Sequence, residues 1–164
     1  MQIRRARMDE LDRIMQMYEA GRQFMRAHGN LEQWTGGYPQ RELIEKDCQE
    51  GILYLCEENR EPLAVFMYRE GTDPTYGVID SGVWLEEERP YAVIHRIVST
   101  AAGKGAASFC VNWGVQQSGN LRIDTHETNF PMQNMLKKNG FVRCGIVYMS
   151  DGSPRVAFQK IQKD

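Results

Sequence analysis

The sequence predicts a mixed α/β fold, in which short apolar strands alternate with amphipathic helices. Strand patterns stand at both ends of the chain and helical patterns lie between them, which is typical of a sheet covered by helices. The 164 residues fall within the usual size of one domain and contain no linker-like stretch or internal repeat, so we expect a single domain over residues 1–164. A hydrophobic fraction of 41% and a charged fraction of 26% are typical of a chain that can bury a core.

The first half of the chain is predicted to contain a strand, two helices and a hairpin. The first helix has an apolar stripe that includes Leu11, Met15 and Tyr18, and Gly29 ends it. A strand is also predicted over 75–84, although the pattern there is weaker. In chain order, the other elements are a strand over 2–6, a helix that begins at Asp9, a polar and aromatic loop over 30–39, a helix over 41–49, and hairpin strands over 52–56 and 63–67.

The second half is predicted to contain further strands and helices with clear boundary signals. Pro131 suits the first turn of a helix and Gly140 suits its end, while Asp151-Gly152 is a strong hairpin turn. In chain order, the elements are a strand over 91–98, a loop of small residues, a helix over 105–117 with Ala106, Phe109, Cys110 and Trp113 on its inner face, a strand over 121–125, the Pro131 helix, and closing strands over 141–149 and 155–161.

Charge and composition exclude several classes of protein. Twenty basic and 22 acidic residues give a net charge of −2, which argues against a nucleic-acid-binding surface. No apolar run approaches the roughly 20 residues that span a bilayer, and the first residues lack the apolar core of a signal peptide, so we expect a cytoplasmic protein with no membrane partner. Neither the cysteines nor the histidines show metal-ligand spacing, so no metal site is predicted. The cysteines are expected to be buried thiols: Cys48, Cys56, Cys110 and Cys144.

The segment with the clearest chemistry is Ile97-Val-Ser-Thr-Ala-Ala-Gly-Lys-Gly-Ala-Ala107. A strand runs into a loop of small residues, and the loop opens a helix whose first N–H groups are unpaired donors at the positive end of its dipole. Such a loop can cradle a phosphate or pyrophosphate. It is neither a P-loop nor a dinucleotide fingerprint, because both glycine spacings are missing. A plain strand-to-helix turn, in which the glycines serve close packing, is the alternative.

Together with Asn129-Phe-Pro-Met132 and Lys138-Asn-Gly-Phe141, this segment resembles the core of the GNAT N-acetyltransferases. The family's loop pattern is Gln/Arg-x-x-Gly-x-Gly/Ala, whereas this chain has Thr100-x-x-Gly103-x-Gly105, so its first position departs from the pattern. The resemblance covers essentially the whole chain. It implies a mostly antiparallel twisted sheet of six to seven strands flanked by about four helices, and acetyl-CoA as cosubstrate.

The resemblance also implies how acetyl-CoA would bind. The pyrophosphate would contact the backbone amides of the loop, and Lys104 could add positive charge. The pantetheine arm would lie between the strands 93–98 and 121–125, and the amide of Val98 would polarise the thioester carbonyl. The implied cofactor-binding residues are Ile97, Val98, Ala101, Ala102, Gly103, Lys104, Gly105, Ala106 and Asn129.

For catalysis, the resemblance implies a general base on the strand before the loop. His95 matches a place where many relatives carry a glutamate, and histidine titrates near neutrality; His126 is the second expected residue. Relatives carry an acid tyrosine where this chain has Leu136, so Tyr148 or Tyr91 is expected to substitute, unless the CoA thiolate leaves without an acid. A hydrogen-bonded structural role is the alternative for both histidines.

The acceptor pocket is expected in the loop after the first helix, as in the family. Its predicted wall consists of Gln33, Trp34 and Tyr38, with Trp84 and Asp124 added from later segments, and Asp124 could anchor a cationic amine. The alternative is a loop that its aromatic side chains pin to the core.

The function predicted from these residues is an N-acetyltransferase that moves an acetyl group from acetyl-CoA directly to a primary amine of a small molecule or peptide. A homodimer is expected by the habit of the family. Two alternatives remain. One is a GNAT-like module that binds acyl-CoA as a sensor or structural partner without turnover, which Leu136 and Thr100 favour. The other is an unrelated α/β domain that binds a different phosphorylated ligand.

Overall fold

Seven strands and four α-helices make up the computed structural model, which describes residues 1–164. The strands form one mostly antiparallel sheet, so the predicted mixed fold is confirmed. In chain order, the elements are β1 (Gln2–Arg5), α1 (Leu11–Ala27), α2 (Arg41–Gln49), β2 (Leu53–Glu58), β3 (Glu61–Glu70), β4 (Ala92–Ser99), α3 (Ala106–Ser118), β5 (Asn120–Thr125), α4 (Phe130–Lys138), β6 (Val142–Tyr148) and β7 (Pro154–Ile161). None of the helices combines the length and apolarity that crossing a membrane requires.

The sheet order is β1-β2-β3-β4-β5-β7-β6. Its parallel pair is β4 with β5, in which Ala92 lies opposite Leu121 and Val93 lies opposite Arg122. Contacts divide the chain into two compact units, Met1–Tyr68 with His95–Cys110 and Arg69–Ile94 with Val111–Asp164. Both β4 and α3 continue from one unit into the other. The expected single domain over residues 1–164 stays a prediction.

The first unit has a core formed by α1, α2 and the adjoining strands. Met17, rather than the predicted Met15, completes the buried stripe of α1, and Met15 is only partly buried. Fully burying one such side chain contributes about 1.5–3 kcal/mol to stability. The buried residues of this core are Ala6, Leu11, Ile14, Met17, Tyr18, Ile44, Leu53, Leu55, Val65 and Val98.

The second unit is built on the antiparallel strands β5, β7 and β6. Ile123 lies opposite Phe158, and both side chains are buried. Gly114 of α3 brings that helix close to Leu121, since a Cβ at Gly114 would lie 3.2 Å from Leu121 Cδ2. Leu136 of α4 is also fully buried.

Two further local predictions are wrong. The segment 75–84 forms no strand: Pro74–Tyr76 is a short 3₁₀ helix, and Asp80 makes one isolated bridge to Ile146. The 3₁₀ helix forms because proline suits its first turn and Asp73 caps it. On α3, Phe109 is 39% exposed, because the buried face of the helix runs through Ala106, Cys110, Val111 and Val115 instead.

The cysteines follow the prediction closely. Cys56, Cys110 and Cys144 are buried free thiols, and Cys48 is half-buried.

Candidate functional site

The loop between β4 and α3, residues 100–105, is held in place by backbone hydrogen bonds at both ends. Thr100 N donates to Leu63 O at 2.8 Å, Gly103 N donates to Thr100 O at 2.9 Å, and Ala106 N donates to Gly103 O at 2.9 Å. The loop therefore lies against β3 and leads directly into α3, whose 13 residues direct the positive end of the helix dipole toward it. The amides that take part in no backbone hydrogen bond are those of Ala101, Ala102, Lys104 and Gly105.

The two positions of this loop that carry glycine do so for different structural reasons. A Cβ at Gly103 would lie 2.6 Å from Leu63 O and 3.2 Å from Thr100 O, so glycine allows the loop to pack on β3. Gly105 has a φ of +80°, and no atom lies within 4 Å of where its Cβ would be. Close packing therefore explains Gly103. At Gly105 the backbone instead borders open space, as a ligand cradle requires.

Thr100 carries an unsatisfied polar atom at the start of the loop. Its Oγ1 is buried and has no hydrogen-bond partner. Such a group is destabilising unless something satisfies it, and most buried polar atoms in proteins are satisfied. Together with the amides of the loop and the cationic side chain of Lys104, this hydroxyl fits a phosphate-bearing ligand that accepts several hydrogen bonds.

Arg96 lies in the middle of β4 and has a left-handed backbone conformation, with a φ of +52°. A residue of this kind within a strand is typical of a bulge, which bends the strand and ends regular pairing. The Arg96 carbonyl accepts a hydrogen bond from the Tyr18 hydroxyl at 2.7 Å. Burial raises the pKa of Tyr18 well above its usual value, which keeps this hydroxyl protonated as a donor.

The Arg96 side chain forms a buried ion pair with Asp47 of α2. Its Nε and Nη2 donate to Asp47 Oδ2 at 2.9 and 2.7 Å, and its Nη1 donates to the Tyr38 hydroxyl at 3.3 Å. Burial raises the pKa of Asp47, while the charge of Arg96 and its hydrogen bonds to the carboxylate act in the opposite direction. The predicted base His95 is half-buried and directly precedes Arg96 in β4.

The loop over residues 30–39, which we call the acceptor loop, carries the aromatic wall predicted from the sequence. Its Trp34 and Tyr38 rings pack edge to face with centroids 6.3 Å apart, and Trp34 also packs on Tyr18 at 5.7 Å. Two arginines of α1 hold its backbone: Arg26 donates to Trp34 O at 3.0 Å, and Arg22 donates to Tyr38 O at 3.2 Å. The loop is thus pinned, as the alternative expected, and Trp34 and Tyr38 remain half-buried.

Gln33 belongs to the same loop but has a local partner. Its side-chain oxygen accepts a hydrogen bond from Asn30 Nδ2 at 2.8 Å. Part of its amide group therefore serves the shape of the loop.

The second unit holds the other predicted catalytic residues, each with a local partner. His126 is 5% exposed, and its Nδ1 accepts a hydrogen bond from Thr128 N at 3.1 Å. Tyr148 is exposed on β6, and a hydrogen bond to Asp80 raises its pKa.

The remaining predicted residues also lie in the second unit. Asn129 Oδ1 caps α4 by accepting from Met132 N at 3.2 Å. Trp84 is buried and donates from Nε1 to Tyr76 O at 3.0 Å, and Asp124 Oδ2 accepts from the Tyr76 hydroxyl at 2.6 Å. These contacts support structural roles beside the predicted roles in binding.

The sequence analysis did not identify Arg96, Asp47 and Tyr18 as residues of the candidate site. The available signal was a charged residue in the apolar run Tyr91-Ala-Val-Ile-His-Arg-Ile-Val98, since an arginine inside a buried strand needs an acidic partner. That signal marks Arg96 as unusual but does not identify Asp47.

The sequence matches no family model and no curated protein, whereas the structure matches many solved structures. One is a GNAT-family acetyltransferase from Streptococcus agalactiae, with 31% identity and a TM-score of 0.89 over 99% of this chain and 96% of that chain. A GNAT-family acetyltransferase from Listeria monocytogenes has 19% identity and a TM-score of 0.67, over 98% of this chain and 94% of that chain. A ribosomal-protein-alanine N-acetyltransferase from Brucella melitensis has 16% identity and a TM-score of 0.62, over 99% and 100%. The last two show likeness of fold alone.

Proposed function

The chain belongs to the GNAT acetyltransferase family, and on that premise we propose that it moves an acetyl group from acetyl-CoA directly to a primary amine of a small molecule or peptide. The observation that carries the proposal is the loop over residues 100–105, which combines amides free of backbone bonds with the unpartnered hydroxyl of Thr100. GNAT acetyltransferases use acetyl-CoA in general, and its pyrophosphate is a ligand of the kind that this loop fits.

In this proposal the loop binds the charged part of acetyl-CoA. The amides of Ala101, Ala102, Lys104 and Gly105 and the hydroxyl of Thr100 would hold the pyrophosphate. Gly103 and Ala106 keep the loop in its conformation, and Asn129 stays a predicted contact of the cofactor. When bound, acetyl-CoA supplies an activated thioester.

The strand β4 would bind the pantetheine arm through its backbone. Thr100 N donates to Leu63 O of β3 at 2.8 Å, and amides alternate in direction along a regular strand, so we expect the amide of Val98 to face β3 and that of Ile97 to face away from it. We therefore transfer the carbonyl-polarising role from Val98 to Ile97. Its N–H would stabilise the negative charge that develops on the carbonyl oxygen.

His95 would act as the general base. Direct transfer requires a neutral amine, and a neutral imidazole can accept the proton that the amine releases. His126 is the second candidate for this step. Tyr148 would return a proton to the leaving thiolate, since Leu136, at the usual position of the acid, is buried in the core.

The acceptor would bind against Gln33, Trp34 and Tyr38 of the acceptor loop. These side chains offer two aromatic faces and an amide. Trp84 and Asp124 stay predicted contacts, and a carboxylate such as that of Asp124 would attract a protonated amine before it is deprotonated.

The proposal can be tested by measuring thiol release from acetyl-CoA with a panel of amines: 1,4-diaminobutane, lysine, an aminoglycoside and an alanyl peptide. His95→Ala should lower kcat about 100-fold and leave acetyl-CoA affinity unchanged, because general-base catalysis is worth that much or more. His28→Ala is the matched control, since His28 is exposed at the end of α1. An unchanged rate in His95→Ala would remove His95 from the mechanism.

Gly105→Glu tests the cradle in the same assay. It introduces a carboxylate beside the expected pyrophosphate and forces a side chain into a left-handed conformation, so acetyl-CoA binding should be lost. Binding by the wild type without thiol release toward any amine would favour the alternative, an acyl-CoA-binding module without turnover. The buried Leu136 is the observation that favours this alternative.

A further inference from the structure

We propose that Arg96 is a positioning residue that couples the acceptor loop to β4, the strand that leads into the loop 100–105. The inference rests on the proposed function, in that the acceptor loop is taken as the wall of the acceptor pocket. All the residues involved belong to the first unit.

The first connection runs through the Arg96 side chain. Its guanidinium is anchored on Asp47 by two hydrogen bonds and contacts the Tyr38 hydroxyl with its remaining nitrogen at 3.3 Å. The Arg96 and Asp47 side chains are only 12% and 4% exposed, so the charges are paired away from water. Because one planar guanidinium contacts both partners, a rotation of the Arg96 side chain moves the nitrogen that donates to the Tyr38 hydroxyl.

The second connection runs through the Arg96 backbone. Its carbonyl accepts from the Tyr18 hydroxyl at 2.7 Å, and the fully buried Tyr18 ring packs edge to face on Trp34. Trp34 has a left-handed φ of +56°, and Arg26 holds its carbonyl at 3.0 Å. Both aromatic residues of the acceptor wall thus connect to one residue of β4.

The backbone conformation of Arg96 indicates that the surrounding contacts hold this residue in place. A left-handed arginine inside a strand is strained, and such strain persists only where the surroundings determine it. The residues on either side of Arg96 are His95, the proposed base, and Ile97, the proposed carbonyl contact. A change in β4 at Arg96 when the cofactor binds would therefore reach Tyr38 and Trp34 through contacts that already exist.

The test compares amide hydrogen exchange in the acceptor loop with and without acetyl-CoA, and needs no known acceptor. The main variant combines Arg96→Gly with Asp47→Asn. Glycine keeps the left-handed conformation while deleting the side chain, and asparagine avoids leaving a buried unpaired carboxylate. The matched control is Arg60→Gly, because Arg60 is also left-handed, with a φ of +66°, but is exposed in the β2–β3 turn.

In the wild type and in Arg60→Gly, acetyl-CoA should slow exchange in the acceptor loop by about fivefold, the lower end of typical coupling between sites. In the double variant the slowing should fall below about twofold while titration still shows acetyl-CoA binding. Tyr38→Phe, which removes one hydroxyl and should fold normally, should give an intermediate value.

Equal slowing in the wild type, the double variant and Tyr38→Phe would overturn the inference, because the contacts of Arg96 would then be merely structural. Acetyl-CoA binding without any change in loop exchange of the wild type would overturn it as well and leave the proposed function standing. No acetyl-CoA binding by the folded wild type would overturn both.

Discussion

Replacing Gly103 with alanine should destabilise the protein by a mechanism that the structure specifies. The added Cβ would lie 2.6 Å from Leu63 O and 3.2 Å from Thr100 O. Both are backbone atoms, and Leu63 O already accepts the hydrogen bond from Thr100 N at 2.8 Å. The contact can therefore be relieved only by moving the loop 100–105 away from β3.

Overpacking of this kind costs about 1–3 kcal/mol in the free energy of unfolding. For a domain of this size, about 1 kcal/mol corresponds to about 2–4 °C in Tm, so Gly103→Ala should lower Tm by about 2–12 °C. Gly105→Ala is the matched variant, because its Cβ would meet no atom within 4 Å. The free energy of unfolding of Gly105→Ala should fall only by the strain of a left-handed alanine, about 1 kcal/mol.

Urea unfolding of the wild type and both variants measures the difference. The midpoint should fall further for Gly103→Ala than for Gly105→Ala, with the slope m unchanged in both. A Gly103→Ala protein as stable as the wild type would refute the packing of the loop on β3.

Two further substitutions test other parts of the first unit. Gly21→Ala would place a Cβ 2.5 Å from Val98 Cγ1 in the core. It should therefore lower the free energy of unfolding by about 1–3 kcal/mol, despite the better helix propensity of alanine. A variant that urea unfolding shows to be more stable than the wild type would contradict this. Hydrogen bonds from Arg4 lower the pKa values of Glu10 and Glu57. The interaction of Arg4 with these two carboxylates therefore stabilises the fold at pH values above the usual carboxyl pKa, and this stabilisation is lost as pH falls through the lowered pKa values. Arg4→Ala should therefore flatten the fall in Tm between about pH 6 and about pH 3, and an equally steep fall in wild type and variant would count against the account.

Much of the fold could be predicted from local signals in the sequence. The bounds of α2 agree with the predicted helix over 41–49, and Gly140 and Gly152 have the left-handed φ values, +82° and +84°, that their predicted roles at a helix end and a hairpin turn require. These positions are decided by residues near them in the chain. The segment 75–84 could not be predicted, because its path depends on partners such as the distant carboxylate of Asp124, which binds Tyr76.

The candidate site likewise has features that the sequence could predict and features that it could not. The loop 100–105 was predictable because small residues, a strand and a helix follow one another in the sequence. The left-handed conformation of Arg96 was not, because its partners Tyr18 and Asp47 lie 78 and 49 residues away and no local preference favours it. The unsatisfied hydroxyl of Thr100 likewise depends on how the loop packs on β3.

The central claim is that the loop between β4 and α3 binds acetyl-CoA. Its most direct test is isothermal titration of the purified protein with acetyl-CoA and, separately, with ATP and NAD. We expect micromolar binding of acetyl-CoA and none of the other two, with loss of that binding in Gly105→Glu. A folded protein that does not bind acetyl-CoA, or that binds all three ligands alike, would contradict the claim.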